Sequence, residues 1–223
     1  GTLIASQLAQ MLMVLTDTLM MARLSPEALA GGSLGAASYS FVSIFCLGVI
    51  ASVGTLVSIR QGAGDIEGAT RLTQAGVWLA WGLALGAALI LWNIKPVLLL
   101  FGHTPSNVEM AGQFLLLLPF ALPGYMTFMA LRGFTSAMGR PVPVMVISVI
   151  GTVANFLLNY ALITGMFGLP KLGLMGIGLV TAIVATAMAL GLAWHIHRHP
   201  AYDAYPLRKG LSRLNVPYLR ELW

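Results

Sequence analysis

Six long apolar stretches dominate this sequence and set the first limit on how it can fold. They lie at about residues 2–22, 34–59, 74–94, 112–137, 142–166 and 173–197. A bilayer core about 30 Å thick needs about 20 apolar residues of helix to cross it, so each stretch can span a membrane. Inside lipid a segment must satisfy its own backbone hydrogen bonds, which a helix does. The sequence therefore predicts an all-α, polytopic membrane bundle of six transmembrane helices.

The few charged residues indicate how the bundle is oriented. Only 9% of the 223 residues are charged, against about 25% in soluble proteins. The net charge of +5 does not indicate a nucleic-acid partner, because the basic residues are spread over the connections between spans. Nine of them fall on one side of the predicted bundle and three on the other, Arg23, Lys95 and Lys171. The positive-inside rule then predicts that both ends of the chain are cytoplasmic and that the bundle is surrounded by membrane lipid.

The first stretch carries one formal charge, Asp17. A carboxylate inside a span costs roughly 2.5–3.5 kcal/mol on insertion scales, so it is usually functional. At about 100° per residue, Gln7, Gln10 and Asp17 fall within an arc of roughly 80° on one side of the helix. Such a polar stripe fits a bundle interior or a wet cavity. The alternative is that Asp17 lies near the helix end and contacts headgroups or Arg23.

The fifth stretch carries a second polar stripe. Ser148, Thr152, Asn155 and Asn159 step by four, three and four, so they share one helical face. Buried amides in a membrane need partners, which either another helix or an ion path could supply. Together with the stripe on the first helix, they predict a shared polar pocket. The sixth stretch adds Thr181 after a glycine-rich entry.

Prolines and small residues predict how the helices bend and pack. The fourth stretch contains Pro119 and Pro123, and each proline removes an amide donor, so this helix should kink. Pairs of small residues four apart predict close helix packing; they are Gly31 with Gly35, Gly48 with Ser52, and Gly82 with Gly86.

Four segments of the chain resemble the multidrug and toxic compound extrusion (MATE) family, in its NorM-like branch. QLAQMLMVLTDTLMMARLSPEALAG (7–31) resembles the first helix of that family and the loop that follows. RQGAGDIEGATRLTQAG (60–76) is similar to the loop between its second and third helices. RGFTSAMGRPVPVMVIS (132–148) resembles the entry to the fifth helix of that family. NYALITGMFGLPKLGLMGIGLVTAIV (159–184) is similar to the junction of its fifth and sixth helices.

The resemblance implies a transporter of twelve helices in two six-helix lobes around a central cavity. Members of the family export cationic organic compounds in exchange for Na⁺ or protons. This chain would supply the amino-terminal lobe, residues 1–197, and the start of a cytoplasmic inter-lobe linker, residues 198–223. We therefore expect a missing carboxyl-terminal lobe of the same protein, a location in the bacterial inner membrane, and no cofactor other than the coupling ion.

The resemblance also assigns roles to particular residues. The first-helix aspartate of the family corresponds to Asp17, within the matching T-D-T-L-M segment, and would couple transport to an ion or proton. Polar residues that complete the pocket in relatives correspond to Asn155, Asn159 and Thr181. Gln7, Gln10, Ser148 and Thr152 are then expected to line the cavity. Arg23 stands where many relatives have glycine, and we have no explanation for this difference.

Two other functions need to be weighed against secondary transport. A flippase for a lipid-linked precursor, found in a related branch of the superfamily, would favour basic residues at mid-membrane depth, and the spans offer none there. A membrane enzyme would need clustered His, Asp, Glu or Cys. The one candidate cluster is His195, His197 and His199, at a cytoplasmic helix end beside Arg198, where a polar cap is expected rather than a metal site. We therefore predict no catalysis and no bound metal.

Overall fold

The computed structural model describes residues 2–165, 171–205 and 207, with side chains from residue 4 onward. Within these ranges the chain forms eight α-helices and no strand: α1 (Thr2–Leu24), α2 (Pro26–Gly62), α3 (Ile66–Trp92), α4 (Lys95–Leu100), α5 (Pro105–Leu117), α6 (Ala121–Ala137), α7 (Val142–Thr164) and α8 (Gly173–Arg198). Six stretches of the described chain are long and apolar enough to cross a membrane. Two of the helices, α5 and α6, together make one of these crossings. The predicted all-α bundle of six membrane-spanning helices is confirmed. Most of the expected linker, residues 208–223, lies outside the described residues.

Local capping sets where two of the long helices begin. At the start of α2 the Ser25 hydroxyl accepts a hydrogen bond from the amide of Ala28 at 3.0 Å, and Pro26 occupies the first helical position. At the start of α3 the Asp65 carboxylate accepts from the amide of Gly68 at 2.8 Å. These contacts satisfy amide groups that have no partner within the helix. The connections at Ser25-Pro26 and Gly64-Asp65 therefore also set the starts of the helices that follow them.

The fourth crossing begins earlier than expected and is interrupted in the middle. Helix α5 starts at Pro105 rather than near residue 112, because Thr104 caps its first turn. A 3₁₀ turn over Leu118–Phe120, which contains Pro119, separates α5 from α6. Pro123 lies in the first turn of α6, where a missing amide hydrogen removes no intrahelical bond. The interruption thus coincides with Pro119.

Helix α6 packs against α2, α3 and α8, and two of its glycines permit close approach. A Cβ atom on Gly54 of α2 would lie 3.0 Å from the Cα of Gly133. A Cβ atom on Gly124 would lie 2.7 Å from the backbone nitrogen of Thr186 on α8. At both crossings backbone contacts backbone, which is how small residues hold helices together in a membrane.

Only one of the three predicted small-residue pairs packs in this way. A Cβ atom on Gly31 or Gly35 would contact α5, at Met110 and Phe114 respectively. By contrast, Gly48, Gly82 and Gly86 have no heavy atom within 4 Å of such a Cβ position. The prediction of close packing at these three glycines is wrong, because they face away from the neighbouring helices of this chain.

Beyond α8 the chain folds back against one end of the bundle. The rings of Tyr202 and Tyr205 pack on Phe134 of α6, with centroids 5.8 and 5.5 Å away. The Tyr205 hydroxyl donates to the side-chain oxygen of Gln61 at the end of α2. These ring and hydrogen-bond contacts bring the ends of α2, α6 and α8 together. They lie at the end of the bundle that the Lys and Arg count predicts to be cytoplasmic. The burial of Tyr202 there raises the pKa of its phenol.

Candidate functional site

Asp17 lies about 10 Å of helix before α1 ends at Leu24, and its carboxylate points at two other helices. One carboxylate oxygen, Oδ1, accepts a hydrogen bond from Asn159 Nδ2 on α7 at 2.7 Å. The other, Oδ2, accepts from Thr181 Oγ1 on α8 at 3.0 Å. Arg23, the partner considered in the alternative interpretation, is an exposed residue one helix turn or more away. Asp17 therefore sits where α1, α7 and α8 meet.

Two fully buried asparagines stand behind the carboxylate. Asn155 and Asn159 are both 0% exposed, and Asn159 Nδ2 lies 3.3 Å from Asn155 Oδ1. Asn159 Oδ1 and Asn155 Nδ2 have no hydrogen-bond partner among the described groups. A buried polar group without a partner costs about 1–3 kcal/mol. We refer to Asp17, Asn155, Asn159 and Thr181 as the Asp17 group.

A second set of polar residues lies further along the contact between α1 and α7, toward the start of α1. Thr152 Oγ1 is within donating distance of the carbonyl of Ala9, at 2.8 Å, and of the carbonyl of Ser148, at 2.9 Å. Ser148 is 0% exposed and its hydroxyl has no partner among the described groups; the same holds for the buried amide nitrogen of Gln10. These three side chains, Gln10, Ser148 and Thr152, are called the α1–α7 polar contact below. It is separated from the Asp17 group by about 10 Å along α1.

Gln7 belongs to neither the Asp17 group nor the α1–α7 polar contact. Ser6, which is not part of the polar stripe predicted for the first helix, is completely buried. Gln7 is exposed and Ser6 is 0% exposed. On a helix of about 100° per residue, Ser6 and Gln10 each lie within about 20° of Asp17, whereas Gln7 lies about 80° away. A helical arc of about 20° on either side of Asp17 includes Ser6 and Gln10 and leaves out Gln7. The cavity-lining role expected of Gln7 stays a prediction.

The histidines at the end of α8 form a compact cap. The rings of His195 and His199 lie 5.3 Å apart between centroids, and His199 Nδ1 accepts from the amide of Ala201 at 3.2 Å. His197 is exposed, on another face of the helix. Among the described residues, no three His, Cys, Asp or Glu side chains are grouped so that they could hold a metal ion.

The Asp17 group has the chemistry of a site for a small cation. Its oxygens come from one carboxylate, two amides and one hydroxyl, and such oxygens are the ligands of hard cations. The hydrogen-bond donors to Asp17 are neutral, and among the described residues no ion pair to its carboxylate is found. A carboxylate buried in a span without a counter-charge favours uptake of a cation or a proton.

A family comparison decides which group of proteins the chain belongs to. The MatE family model matches residues 3–161, which is more than half of the chain. The chain belongs to the MatE family. Over all 223 residues it is 76% identical to the "Probable multidrug resistance protein NorM" of Pseudomonas putida and 70% identical to the protein of the same name from Pseudomonas syringae pv. tomato. These matches confirm the MATE resemblance drawn from the sequence.

Solved structures agree on the MatE fold. The crystal structure of the eukaryotic MATE transporter AtDTX14 matches with a TM-score of 0.85 at 20% identity, and the match covers 100% of this chain and 52% of that one. The two Pseudomonas relatives are likewise matched over 48% of their length. This MatE chain therefore spans about half the length of the relatives it matches, which is consistent with one lobe of two. Its six apolar helices and its family make it a multi-pass membrane protein.

Proposed function

We propose that this chain is the amino-terminal lobe of a multidrug efflux transporter that exports cationic organic compounds in antiport with Na⁺ or H⁺. The names of its MatE relatives support multidrug efflux. The single observation that supports ion coupling is the pairing of Asp17 with Asn159 and Thr181 inside the bundle. Residues 1–197 would form the lobe and residues 198–223 the cytoplasmic linker, in the inner membrane of a bacterium.

Asp17 is suited to be the coupling residue because its carboxylate lies inside a span, unlike the other acidic side chains that the structure describes. The other acidic side chains among the described residues are at or near helix ends or in connections: Glu27, Asp65, Glu67, Glu109 and Asp203. Asp17 alone among them lies well inside a span. In our proposal the charged carboxylate attracts a cation or proton when the cavity faces one side. Once neutralised, it permits the conformation that faces the other side.

The neighbours of Asp17 would hold the ion and prepare its route. Thr181 places its hydroxyl oxygen beside the carboxylate, whereas Asn159 places its amide nitrogen there and Asn155 Oδ1 accepts from that same nitrogen. A Na⁺ ion would use the Thr181 hydroxyl and the two amide oxygens as ligands, with the Asn159 amide turning its oxygen toward the ion. The unpaired groups of the α1–α7 polar contact, Ser148 Oγ and Gln10 Nε2, offer hydrogen bonds to water along the same helix contact. These groups and the water that they bind would form a polar route from the Asp17 group toward the start of α1.

Replacement of Asp17 in the full-length protein tests this proposal. Asp17→Asn keeps the side-chain shape but removes the charge and the exchangeable proton. We expect efflux of a fluorescent organic cation from cells to fall at least tenfold, while membrane abundance is unchanged or higher because an intramembrane charge is lost. The matched control is Glu109→Gln, which removes an exposed acid paired with Lys95 at 2.9 Å near one end of the bundle. It should retain efflux.

The same assay in vesicles identifies the coupling ion. Efflux is measured with an imposed Na⁺ gradient at constant pH, and then with a pH gradient in the absence of Na⁺. Normal efflux from Asp17→Asn at normal abundance would remove Asp17 from the mechanism. The flippase alternative gains no support from the relatives named above, which are multidrug resistance proteins and a MATE transporter.

A further inference from the structure

A cavity of about 370 Å³ lies between α2 and α6, apart from the Asp17 group. Its walls are apolar or small residues except for one cation and one hydroxyl; they are Leu47, Ile50, Ala51, Gly54, Met129, Arg132, Gly133 and Ser136. Its volume is within the range of ligand pockets, about 300–1,000 Å³. The question is which ligand suits one guanidinium in an otherwise apolar cavity.

The guanidinium of Arg132 has no carboxylate partner among the described residues. Its Nη1 donates to the thioether sulfur of Met129 at 3.8 Å, and a thioether is a weak acceptor. Two other arginines near this end of the bundle, Arg60 and Arg71, each pair with an acid close to them in the sequence, Asp65 and Glu67. A half-buried guanidinium has five donors and needs an anion to offset its desolvation.

The cavity is polar at one end and apolar at the other. Arg132 lies about 7.5 Å of helix before α6 ends at Ala137, and Ser136 lies one turn closer to that end. The apolar side chains lie further from that end of the bundle. They belong to Met129, Ile50 and Leu47, about 5–10 Å along their helices beyond the crossing of Gly54 with Gly133. The charged end is therefore nearer the end of the bundle, where lipid headgroups are expected, and the apolar end lies toward the middle of the spans, where acyl chains are expected.

We propose that this cavity binds the phosphate headgroup of an anionic phospholipid, with the first part of an acyl chain along the apolar wall. Charge complementarity selects an anion, and the depth of Arg132 selects a headgroup of the leaflet that the Lys and Arg count makes cytoplasmic. Basic pockets between membrane helices on that side bind anionic headgroups in this way. The proposal rests on the membrane-spanning fold and not on ion coupling through Asp17.

The test compares lipid binding by the purified full-length protein and two single-residue variants. Phosphatidylglycerol and phosphatidylcholine with identical acyl chains are added in detergent, and bound lipid is counted by native mass spectrometry. We expect phosphatidylglycerol to bind preferentially, and Arg132→Gln to weaken it at least tenfold. Arg140→Gln, which removes an exposed arginine outside the cavity, is the matched control and should bind as the unchanged protein does.

A second variant separates the cavity from its charge. Ala51→Leu adds volume to the wall and leaves Arg132 in place, so it should also weaken phosphatidylglycerol binding, with size-exclusion profiles showing that both variants are folded. Equal binding by Arg132→Gln and Arg140→Gln would overturn the proposal, and so would an unaltered affinity in Ala51→Leu. Glycerol phosphate that displaces the lipid at equal concentration would show that a free phosphate is the ligand, which also overturns it.

Discussion

A single methyl group at Gly124 should disturb the Asp17 group although it lies on a different helix. Gly124 is at the crossing of α6 with α8, and a Cβ atom there would lie 2.7 Å from the backbone nitrogen and 2.8 Å from the Cα of Thr186. Those atoms belong to backbone, which cannot rotate away as a side chain can. Gly124→Ala therefore forces α8 to move relative to α6.

The required movement can be worked out from these contacts. Ordinary carbon contacts begin near 3.4 Å, so α8 must retreat by about 0.7 Å at Thr186. Thr181 is on the same helix, and its bond to Asp17 is already 3.0 Å long. A shift of that size away from α1 would lengthen the bond to about 3.7 Å, beyond hydrogen-bonding distance. Overpacking costs about 1–3 kcal/mol, against about 1 kcal/mol gained from helix propensity.

The assay compares Gly124→Ala with Gly86→Ala in the full-length protein. Gly86 has open space around its Cβ position, so that variant gains helix propensity without a clash. We expect Gly124→Ala to melt at a lower temperature and to lose most cation efflux, and Gly86→Ala to melt at the same or a higher temperature with efflux retained. Similar melting temperatures and efflux for the two variants would refute the argument that backbone contact at this crossing positions Thr181.

Three further predictions concern the ion, the topology and the end of α8. Under the proposed ion coupling, Thr181→Val should reduce ion-driven efflux at least tenfold because it removes an oxygen proposed to hold the ion, Thr181→Ser should retain it, and equal ion dependence of the two would exclude Thr181 from the site. Single cysteines at the exposed positions Ser106 and Ala204 should react from opposite faces of intact cells, Ser106 from outside, and labelling of both from one face would overturn the orientation. Tyr205→Phe should cost about 0.5–1.5 kcal/mol through loss of its bond to Gln61, measured as a lower melting temperature, with an unchanged value contradicting that role.

The number of spans could be read from the sequence because it depends on local composition. An apolar stretch of about 20 residues is helical in lipid whatever surrounds it. The start of the fourth crossing was misplaced because the first turns of α5 are polar, with Ser106, Asn107 and Glu109 among them. The cap at Thr104 and the proline after it were present in the sequence and mark the true start.

Helix packing could not be read in the same way, because it depends on which face each helix turns to its neighbours. Small-residue spacing alone does not distinguish Gly35, where a Cβ atom would contact Phe114 of α5, from Gly86, where a Cβ atom would meet no other part of the described chain within 4 Å. Gly124, at the crossing of α6 with α8, has no small residue four positions away, whereas Gly54 and Gly133 do, in Ser58 and Ala137. Spacing therefore does not single out these three glycines, and their role is recognised only when the opposite backbone is placed beside them.

The Asp17 group shows how local pattern and remote packing combine. Periodicity alone put Asn155 and Asn159 on one face, because both belong to one helix. Thr181 shares its apolar span with one other hydroxyl residue, Thr186, and no polar stripe singles it out, so only the family resemblance linked it to Asp17. Its place depends on close packing of α8, where a Cβ atom on Gly178 would lie 2.8 Å from the carbonyl oxygen of Phe114. The Thr181 hydroxyl beside Asp17 is therefore positioned by glycines at the packing contacts of α8, and we expect substitutions at these contacts to alter the proposed ion coupling before they unfold the lobe.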